Sequence, residues 1–154
     1  MERAVSALAI RFLEPHDIPA ILRIQSNSPE AAQWSQAAYE NLGQASQGAW
    51  AAEYHGHLAG FLVARVVANE MEILNFGVVP NFRCKGIGRA LLQESLTWAA
   101  QNGASRAFLE VRASNATARQ FYEAHGFASA GVRPNYYHDP DEAALLLTCP
   151  LGRK

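Results

Sequence analysis

Residues 78–89 read Val78-Val79-Pro80-Asn81-Phe82-Arg83-Cys84-Lys85-Gly86-Ile87-Gly88-Arg89. The apolar residues before Pro80 are typical of the end of a strand, since proline has no N–H to donate to a sheet ladder. The apolar spacing that begins at Gly86 predicts a helix. The first N–H groups of a helix lack intrahelical partners and carry the positive end of the helix dipole, and glycine lets a ligand approach the backbone. This strand, loop and helix therefore predict an anion-binding site, to which three side chains add positive charge: Arg83, Lys85 and Arg89.

Two known phosphate-binding motifs fit this stretch less well. A nucleotide P-loop needs GxxxxGK[ST], which the sequence lacks. A dinucleotide-binding fingerprint needs GxGxxG directly after a strand, and Leu91 holds the third glycine position here. Glu110 follows Gly88 by 22 residues and would suit a ribose-binding acid, so this alternative stays open. A glycine-containing helix start without any ligand is a further alternative.

The chain before this stretch predicts strands and two short helices. Alternating apolar residues and turn signals predict strands at 8–13, 48–54, 58–67 and 71–79. Helical spacing predicts helices at 15–24 and 36–42, the second capped by Ser35 and ended by Gly43. The turn His55-Gly56-His57 joins two of the strands into a hairpin. This half of the sheet is expected to be antiparallel.

The chain after this stretch predicts two helical crossovers. Helices are expected at 86–101 and 115–125, and strands at 106–112, 127–132 and 143–149, the last two flanking a polar loop. A strand, helix and strand in succession imply a parallel, right-handed crossover. The sequence therefore predicts a mixed α/β sheet of about seven strands, mostly antiparallel, with about four helices.

Composition limits the class of protein. The 154 residues are 49% hydrophobic and 18% charged, which predicts one globular domain over 1–154 with a core at about 8–149. A formal net charge of −1 argues against a nucleic-acid partner, and no apolar run is long enough for a signal peptide or a membrane span. Two cysteines and five scattered histidines form no disulfide framework and no metal ligand set. A reducing, cytoplasmic setting is expected, and the sequence is silent on oligomeric state.

Several motifs together resemble a known enzyme family. Arg83-x-x-Gly86-x-Gly88 after a Val-x-Pro strand end, with Asn115 and Tyr122 on the next helix, resembles the acetyl-CoA site of the GCN5-related N-acetyltransferase superfamily. The segments 109–116, 121–127 and 135–137 are similar to those of ribosomal-protein-alanine N-acetyltransferases. The resemblance covers about residues 8–149 and is most specific over 109–127. It implies that family's fold, with a splayed parallel strand pair at the cofactor cleft and acetyl-CoA as cosubstrate.

The resemblance also implies which residues hold acetyl-CoA. The pyrophosphate would lie on the loop amides, the pantetheine arm would pair with the strand edge at Phe76, Gly77 and Val78, and Asn115 would bond the same arm. The amide of Val78 would polarise the thioester carbonyl. The loop residues so implied are Arg83, Cys84, Lys85, Gly86, Ile87, Gly88 and Arg89.

Two residues are candidates for proton transfer. An α-amino group of pKa about 7.7 to 8.0 is partly protonated near neutrality and must lose a proton before it attacks a thioester. Glu110 is the candidate base, and Tyr122 matches the family's general acid for the departing thiolate. Cys84 would lie far from the reacting sulfur, so direct attack in a ternary complex is favoured over an acetyl-enzyme. Simpler roles stay open: a Glu110 ion pair with Arg112 or Arg106, a core position for Tyr122, and an N-cap at Asn115.

The acceptor side departs from the family pattern. The family carries an acidic residue on its first helix and a Phe-x-x-Pro-Trp-Ser stretch, of which residues 24–35 keep Trp34-Ser35 only. Aromatic and acidic residues in the predicted polar loop would favour a cationic peptide terminus, although a solvated loop is as good an interpretation: Tyr136, Tyr137, Asp139, Asp141 and Glu142.

The sequence thus favours an acetyl-CoA-dependent N-acetyltransferase acting on a protein N-terminus, with the alanine of ribosomal protein S18 as the expected acceptor. Trp34, Tyr136, Tyr137 and Asp139 are the candidate acceptor contacts, and no metal is expected. An enzyme of the same superfamily that acts on lysine side chains or small amines is the alternative, and a non-catalytic acyl-CoA sensor is an alternative of another class.

Overall fold

The computed structural model describes residues 7–28, 31–43, 46–82, 85–138 and 141–151. Its strands are β1 (Leu8–Phe12), β2 (Gln47–Tyr54), β3 (His57–Val67), β4 (Glu70–Val78), β5 (Arg106–Arg112), β6 (Ala128–Tyr137) and β7 (Glu142–Pro150). Its α-helices are α1 (Ile18–Ser26), α2 (Gln36–Glu40), α3 (Ile87–Gln101) and α4 (Ala116–Ala124). These elements confirm the predicted class.

The strands form one seven-stranded sheet in the order β1-β2-β3-β4-β5-β7-β6. Neighbours pair antiparallel throughout this described sheet except at β4 and β5, where Glu70–Glu72 pairs in parallel with residues 106–108. The chain's last strand, β7, lies between β5 and β6, so β5 and β6 run in the same direction with one strand between them. The mixed sheet and the parallel direction of the strands joined by α3 and by α4 are therefore confirmed.

Apolar residues cover both faces of the sheet. On one face, α3 and α4 bury a cluster that includes Leu91 and Leu92, together with Met71 and Leu147 from the strands. On the other face, α1 and α2 pack over β3 and bury Ile21, Tyr39, Phe61 and Val63. In β5, alternate residues are buried against the α3 and α4 face, so the residues between them point to the opposite face.

The polar loop predicted between the last two strands is wrong. β6 continues to Tyr137, and Glu142 begins β7, so the two strands form a long hairpin. Pro134 cannot donate to the ladder and Asn135 adopts a left-handed φ of 57°. Here they form a bulge: between the pairs Arg133–Ala144 and Tyr137–Glu142, β6 has three residues where β7 has one.

Two further properties follow from the coordinates. Across the described ranges, no helix has the length and apolarity required to cross a membrane. Over the same ranges, histidine, cysteine, aspartate and glutamate side chains form no group of three or more that would hold a metal ion.

Candidate active site

The parallel strands β4 and β5 separate after three residues. Their pairing ends at Glu72 and Phe108, although both strands continue. In the pairing with β3, Val63 faces Asn75 and Ala64 faces Ile73, so Leu74 is an extra residue in β4. An extra residue bends the strand that carries it. Beyond this bulge β4 follows β3 and leaves β5, which opens a gap in the sheet between the two strands.

One backbone donor faces this gap without a ladder partner. The N–H of Val79 donates to the carbonyl of Ala59 on β3 over 2.8 Å, so the N–H of Val78 points the other way, toward the gap. The N–H of Phe76 points to the same side but donates to Oδ1 of Asn75 over 3.0 Å. Within the described part of the chain, Val78 is therefore the free donor at residues 76–79 of this strand edge.

A second group of free donors lies at the start of α3. Gly86 precedes the helix with a left-handed φ of 82°, a conformation that favours glycine. The N–H of Ala90 donates to the carbonyl of Gly86, so the N–H groups of residues 87–89 lie ahead of the helix's own hydrogen bonds. Lys85 and Arg89 are exposed beside them, whereas the Ile87 side chain is buried in the core and leaves only its amide for a ligand. The strand end, the glycine and the helix start thus lie in the predicted order, while anion binding here stays a prediction and Arg83 and Cys84 lie outside the described residues.

The amino end of α3 lies close to α4 and β4. A Cβ at Gly88 would lie 3.5 Å from the Phe121 ring and 3.6 Å from the Phe76 ring. Asn115 caps α4, its Oδ1 accepting from the N–H of Ala118 over 3.1 Å. The N-cap role is therefore present, and within the described part of the chain the side-chain amide nitrogen of Asn115 has no partner. That nitrogen remains available to a ligand.

Tyr122 lies on α4, on the α3 side of the sheet. Its ring is buried, with its centroid 6.3 Å from that of Phe76 and 5.3 Å from that of Phe127. Burial raises the pKa of Tyr122 above its usual value, so the hydroxyl stays protonated at neutral pH. No described residue hydrogen-bonds this hydroxyl. The side chain is part of the core and also carries an uncommitted proton donor beside β4.

Glu110 lies on the opposite face of the sheet. It alternates with the buried Leu109 and Val111 of β5, which face α3 and α4. Its carboxylate forms an ion pair with Arg133 of β6. Glu110 therefore does form an ion pair, as one alternative predicted, but not with the predicted partners. Arg106 pairs with Glu70 at 2.6 Å and Arg112 pairs with Glu142 at 3.3 Å.

Two tyrosines of β6 also contact Glu110. Interaction with the Glu110 carboxylate is the main cause of a raised pKa of the Tyr136 hydroxyl. The Tyr137 hydroxyl donates to the backbone carbonyl of Glu110 over 3.1 Å. These tyrosines lie on a bulged strand rather than in the expected loop. The structure therefore brings the candidate base and two of the candidate acceptor contacts together.

The acidic residues near the hairpin turn have mostly structural partners. Glu142 accepts from the N–H of Ser114 over 2.5 Å and pairs with Arg112 at 3.3 Å. Its pKa is lowered chiefly by the Ser114 side chain, and further by that N–H and by Arg112. Asp141 pairs with His138 at 3.2 Å. Asp139 lies outside the described residues. Glu142 thus ties β7 to the turn before α4.

A buried polar network next to the gap has no counterpart in the sequence predictions. Asn75 binds the segment before α2 with both ends of its side-chain amide: Oδ1 accepts from the N–H of Ala32, and Nδ2 donates to the Ala32 carbonyl, each over 3.0 Å. Nδ2 also donates to the Tyr39 hydroxyl over 2.9 Å. Gln25 accepts from that hydroxyl and donates to the Trp34 carbonyl over 2.6 Å. Trp34 is thereby held beside β4. In the sequence, the signal for this network was Asn75, an amide residue in an otherwise apolar stretch of strand.

Comparison with known proteins agrees with this architecture. The acetyltransferase (GNAT) family matches residues 16–127. A [ribosomal protein bS18]-alanine N-acetyltransferase of Escherichia coli (strain K12) is 34% identical over 146 residues, which are 93% of this chain and 97% of that protein. A putative enzyme of the same name from Bacillus subtilis (strain 168) is 29% identical over 140 residues, 90% of this chain and 93% of that protein.

Solved structures show the same fold. The ribosomal-protein-S18-alanine N-acetyltransferase from Escherichia coli superposes with a TM-score of 0.83 at 32% identity, covering 96% of both chains. Ard1 from Thermoplasma volcanium superposes with a TM-score of 0.85 at 29% identity, covering 96% of this chain and all of that one (100%). The match over residues 16–127 and the 34% identity over 93% of this chain identify it as a member of the acetyltransferase (GNAT) family.

Proposed function

We propose that this N-acetyltransferase moves the acetyl group of acetyl-CoA to the N-terminal amine of a protein, with the N-terminal alanine of ribosomal protein bS18 as the acceptor. One observation carries the proposal. Glu110 and Tyr122 lie on opposite faces of the sheet, on either side of the gap into which the Val78 N–H points. A base on one face and an acid on the other suit a reaction in which amine and thioester meet within the sheet.

Acetyl-CoA is the cosubstrate, and the described residues fit it. The unpaired N–H groups at the start of α3 suit the pyrophosphate, with Lys85 and Arg89 adding charge. The separated edge of β4 at Phe76, Gly77 and Val78 suits an extended amide chain such as pantetheine. Asn115, the N-cap of α4, would bond the same arm through its amide nitrogen, and Arg83 and Cys84 would complete the loop.

The proposed mechanism assigns one step to each residue. The Val78 N–H donates to the thioester carbonyl oxygen and stabilises the negative charge that develops there. Glu110 takes the proton from the attacking amine on the α1 and α2 face. Tyr122 gives its proton to the departing sulfur on the α3 and α4 face, where its raised pKa keeps it protonated beforehand. Attack is direct, without an acetyl-enzyme.

The acceptor assignment rests on the relatives together with the acceptor face. Two relatives match this chain over nearly their whole length, and both are named as bS18-alanine N-acetyltransferases, one of them as putative. Trp34, Tyr136 and Tyr137 line the face on which Glu110 lies, which suits a cationic terminus. Lysine side chains or small amines remain the alternative acceptors. A non-catalytic sensor would need neither Glu110 nor Tyr122. The whole of 1–154 is proposed to act as one domain, in the cytoplasm.

Competition between acceptors tests the proposal. Equimolar peptides that begin Ala-Arg with blocked lysines, and peptides with blocked termini and free lysines, are incubated with acetyl-CoA and the enzyme. We expect the ratio of kcat/KM to favour the free terminus by at least about a hundredfold, a difference of about 2.7 kcal/mol in transition-state binding. Equal rates, or transfer to lysine alone, would contradict the proposed acceptor class.

A further inference from the structure

The guanidinium of Arg133 lies against the carboxylate of Glu110. Arg133 is carried by β6 and its side chain is 63% exposed, whereas the side chain of Glu110 is 12% exposed. The carboxylate oxygen nearest to Arg133, Oε2, has less than 1 Å² of accessible surface. In this arrangement an amine cannot reach Oε2 from solvent unless Arg133 moves.

The surroundings of Glu110 suit a cation. The guanidinium that pairs with the carboxylate also lies over an aromatic ring, since the Cζ atom of Arg133 is 5.6 Å from the centroid of the Tyr136 ring. A carboxylate beside an aromatic face attracts a positive charge through both groups. The bulge at residues 134–136 places the ring there. These two groups form a cation site that a side chain of the same chain fills.

The two arginines of β5 pair with carboxylates other than that of Glu110. Arg106 pairs with Glu70 at 2.6 Å, at the far end of the strand. Arg112 pairs with Glu142, and its Cζ lies 4.5 Å from the centroid of the Tyr137 ring. Among the ion pairs of the described residues, Arg133 is the partner of Glu110. A positive charge that enters this site therefore competes with Arg133.

We propose that Arg133 is a specificity-determining residue that holds, in the free enzyme, the place of the acceptor's ammonium group. The acceptor displaces it, and its largely exposed stem lets the guanidinium move into solvent. The inference rests on the proposed function because it takes Glu110 as the base. The Arg133–Glu110 pair selects acceptors that arrive as cations. A neutral group that displaced Arg133 would leave the buried Glu110 carboxylate without a partner.

The size of the effect follows from the strength of the ion pair. A partly exposed ion pair is formed in about two to five times as many molecules as those in which it is broken. The acceptor site is closed where the Arg133–Glu110 pair is formed and open where it is broken. The apparent affinity for the acceptor falls by the fraction of molecules in which the site is open, so Arg133 raises the acceptor KM by about three- to sixfold. The KM for acetyl-CoA does not depend on this equilibrium.

Steady-state kinetics with a peptide that begins Ala-Arg, at saturating acetyl-CoA, tests the inference. The variants are R133Q, which removes the competing cation, and R133K, which keeps one. Arg106→Gln is the matched control, because it also removes one end of a partly exposed arginine–glutamate pair on the sheet, away from Glu110. We expect R133Q to lower the peptide KM about three- to sixfold with the acetyl-CoA KM unchanged, and R133K and the control to match the wild type.

Two results would overturn the inference. An R133Q peptide KM equal to that of the wild type would mean that Arg133 does not compete. A higher KM or a lower kcat in R133Q, restored by R133K, would mean that Arg133 positions Glu110 instead. If the wild-type enzyme acetylates only lysine or a small amine, the proposed acceptor fails, and the same KM comparison with that amine still tests the role of Arg133.

Discussion

The Oδ1 atom of Asn75 accepts a hydrogen bond from the N–H of Phe76 over 3.0 Å. This bond occupies one of the two β4 amides that point into the gap between β4 and β5. The other, at Val78, keeps its donor free because the neighbouring Val79 is the residue that bonds β3. The same Asn75 side chain holds Ala32 against the strand. One buried amide therefore leaves Val78 as the proposed oxyanion donor and anchors the segment of the proposed acceptor side.

Removing the proposed base or acid should abolish turnover without unfolding the protein. We expect Glu110→Gln and Tyr122→Phe each to lower kcat by about 10²- to 10⁴-fold, the contribution of one positioned proton-transfer group. Tyr122→Phe should leave the melting temperature nearly unchanged, since no described residue hydrogen-bonds the Tyr122 hydroxyl.

The matched controls are Glu70→Gln and Tyr54→Phe, which change the same residue types away from the gap. Both should retain wild-type kcat in a thiol-release assay. The proposed mechanism would be refuted if Glu110→Gln and Tyr122→Phe both turned over at the wild-type rate.

The left-handed conformation at Gly86 should be needed for binding acetyl-CoA. A Cβ at this position meets no atom within 4 Å, so Gly86→Ala acts through the backbone, which loses its positive φ at a cost of about 1 kcal/mol or more. Acetyl-CoA should raise the melting temperature of the wild type, NAD(P) should not, and the rise should be smaller in Gly86→Ala.

Gly103→Ala is the control for Gly86→Ala, since Gly103 has a φ of 92° just beyond the other end of α3. It should lose similar stability and keep the full response to acetyl-CoA. An equal response in both variants, or stabilisation by NAD(P) in the wild type, would count against the assigned binding loop.

The close approach of β3 and β4 should depend on Gly60. A Cβ there would lie 2.9 Å from the backbone oxygen of Gly77, which cannot swing aside as a side chain can. Gly60→Ala should push β4 toward the gap and lower kcat at least about tenfold by misplacing Val78. Gly131→Ala, whose Cβ would meet only Leu146 at 3.9 Å, should fold and turn over normally. Wild-type kcat in Gly60→Ala would show that the reaction tolerates a shift of β4.

Stability at low pH should depend on Asp17. Burial favours the neutral form of this carboxyl, but hydrogen bonds from Arg11 and from the N–H of Glu14 outweigh it and hold the pKa below its usual value. A lowered pKa in the folded state means that the stabilisation is present above about pH 3.9 and is lost as the pH falls through the folded value. Asp17→Asn should cost about 2 kcal/mol at pH 7, since Arg11 is partly exposed.

Urea unfolding at pH 7 and near pH 3 tests whether the stabilisation by Asp17 decreases as the pH falls. The difference between wild type and Asp17→Asn should shrink at the lower pH, whereas Glu53→Gln, which removes Arg11's more exposed partner, should cost less at pH 7. A difference that grew on acidification would contradict the assignment.

Local signals in the sequence explain which features were predictable. Gly86 at the start of α3, the cap at Asn115 and the alternation around Glu110 each depend on residues a few positions apart. Such patterns report backbone conformation directly, so the sheet class, the helix start at Gly86 and the cap were predicted correctly.

Features made by distant segments were not predictable in this way. Arg133, the partner of Glu110, lies on β6. β6 is two strands away from β5 in the sheet, because β7, which comes later in the sequence, lies between them. The bulge at Leu74 arises from pairing with β3 and has no turn residue to mark it. Pro134 and Asn135 gave a loop signal that cross-strand pairing overrode.

The central claim is tested most directly with the proposed acceptor itself. Full-length bS18 with a free N-terminal alanine is incubated with acetyl-CoA and either the wild-type enzyme or Glu110→Gln, and the modified residue is located by tandem mass spectrometry. We expect one acetyl group on the alanine nitrogen with the wild type and almost none with Glu110→Gln. Acetylation confined to lysines, or equal acetylation of the alanine by both enzymes, would contradict it.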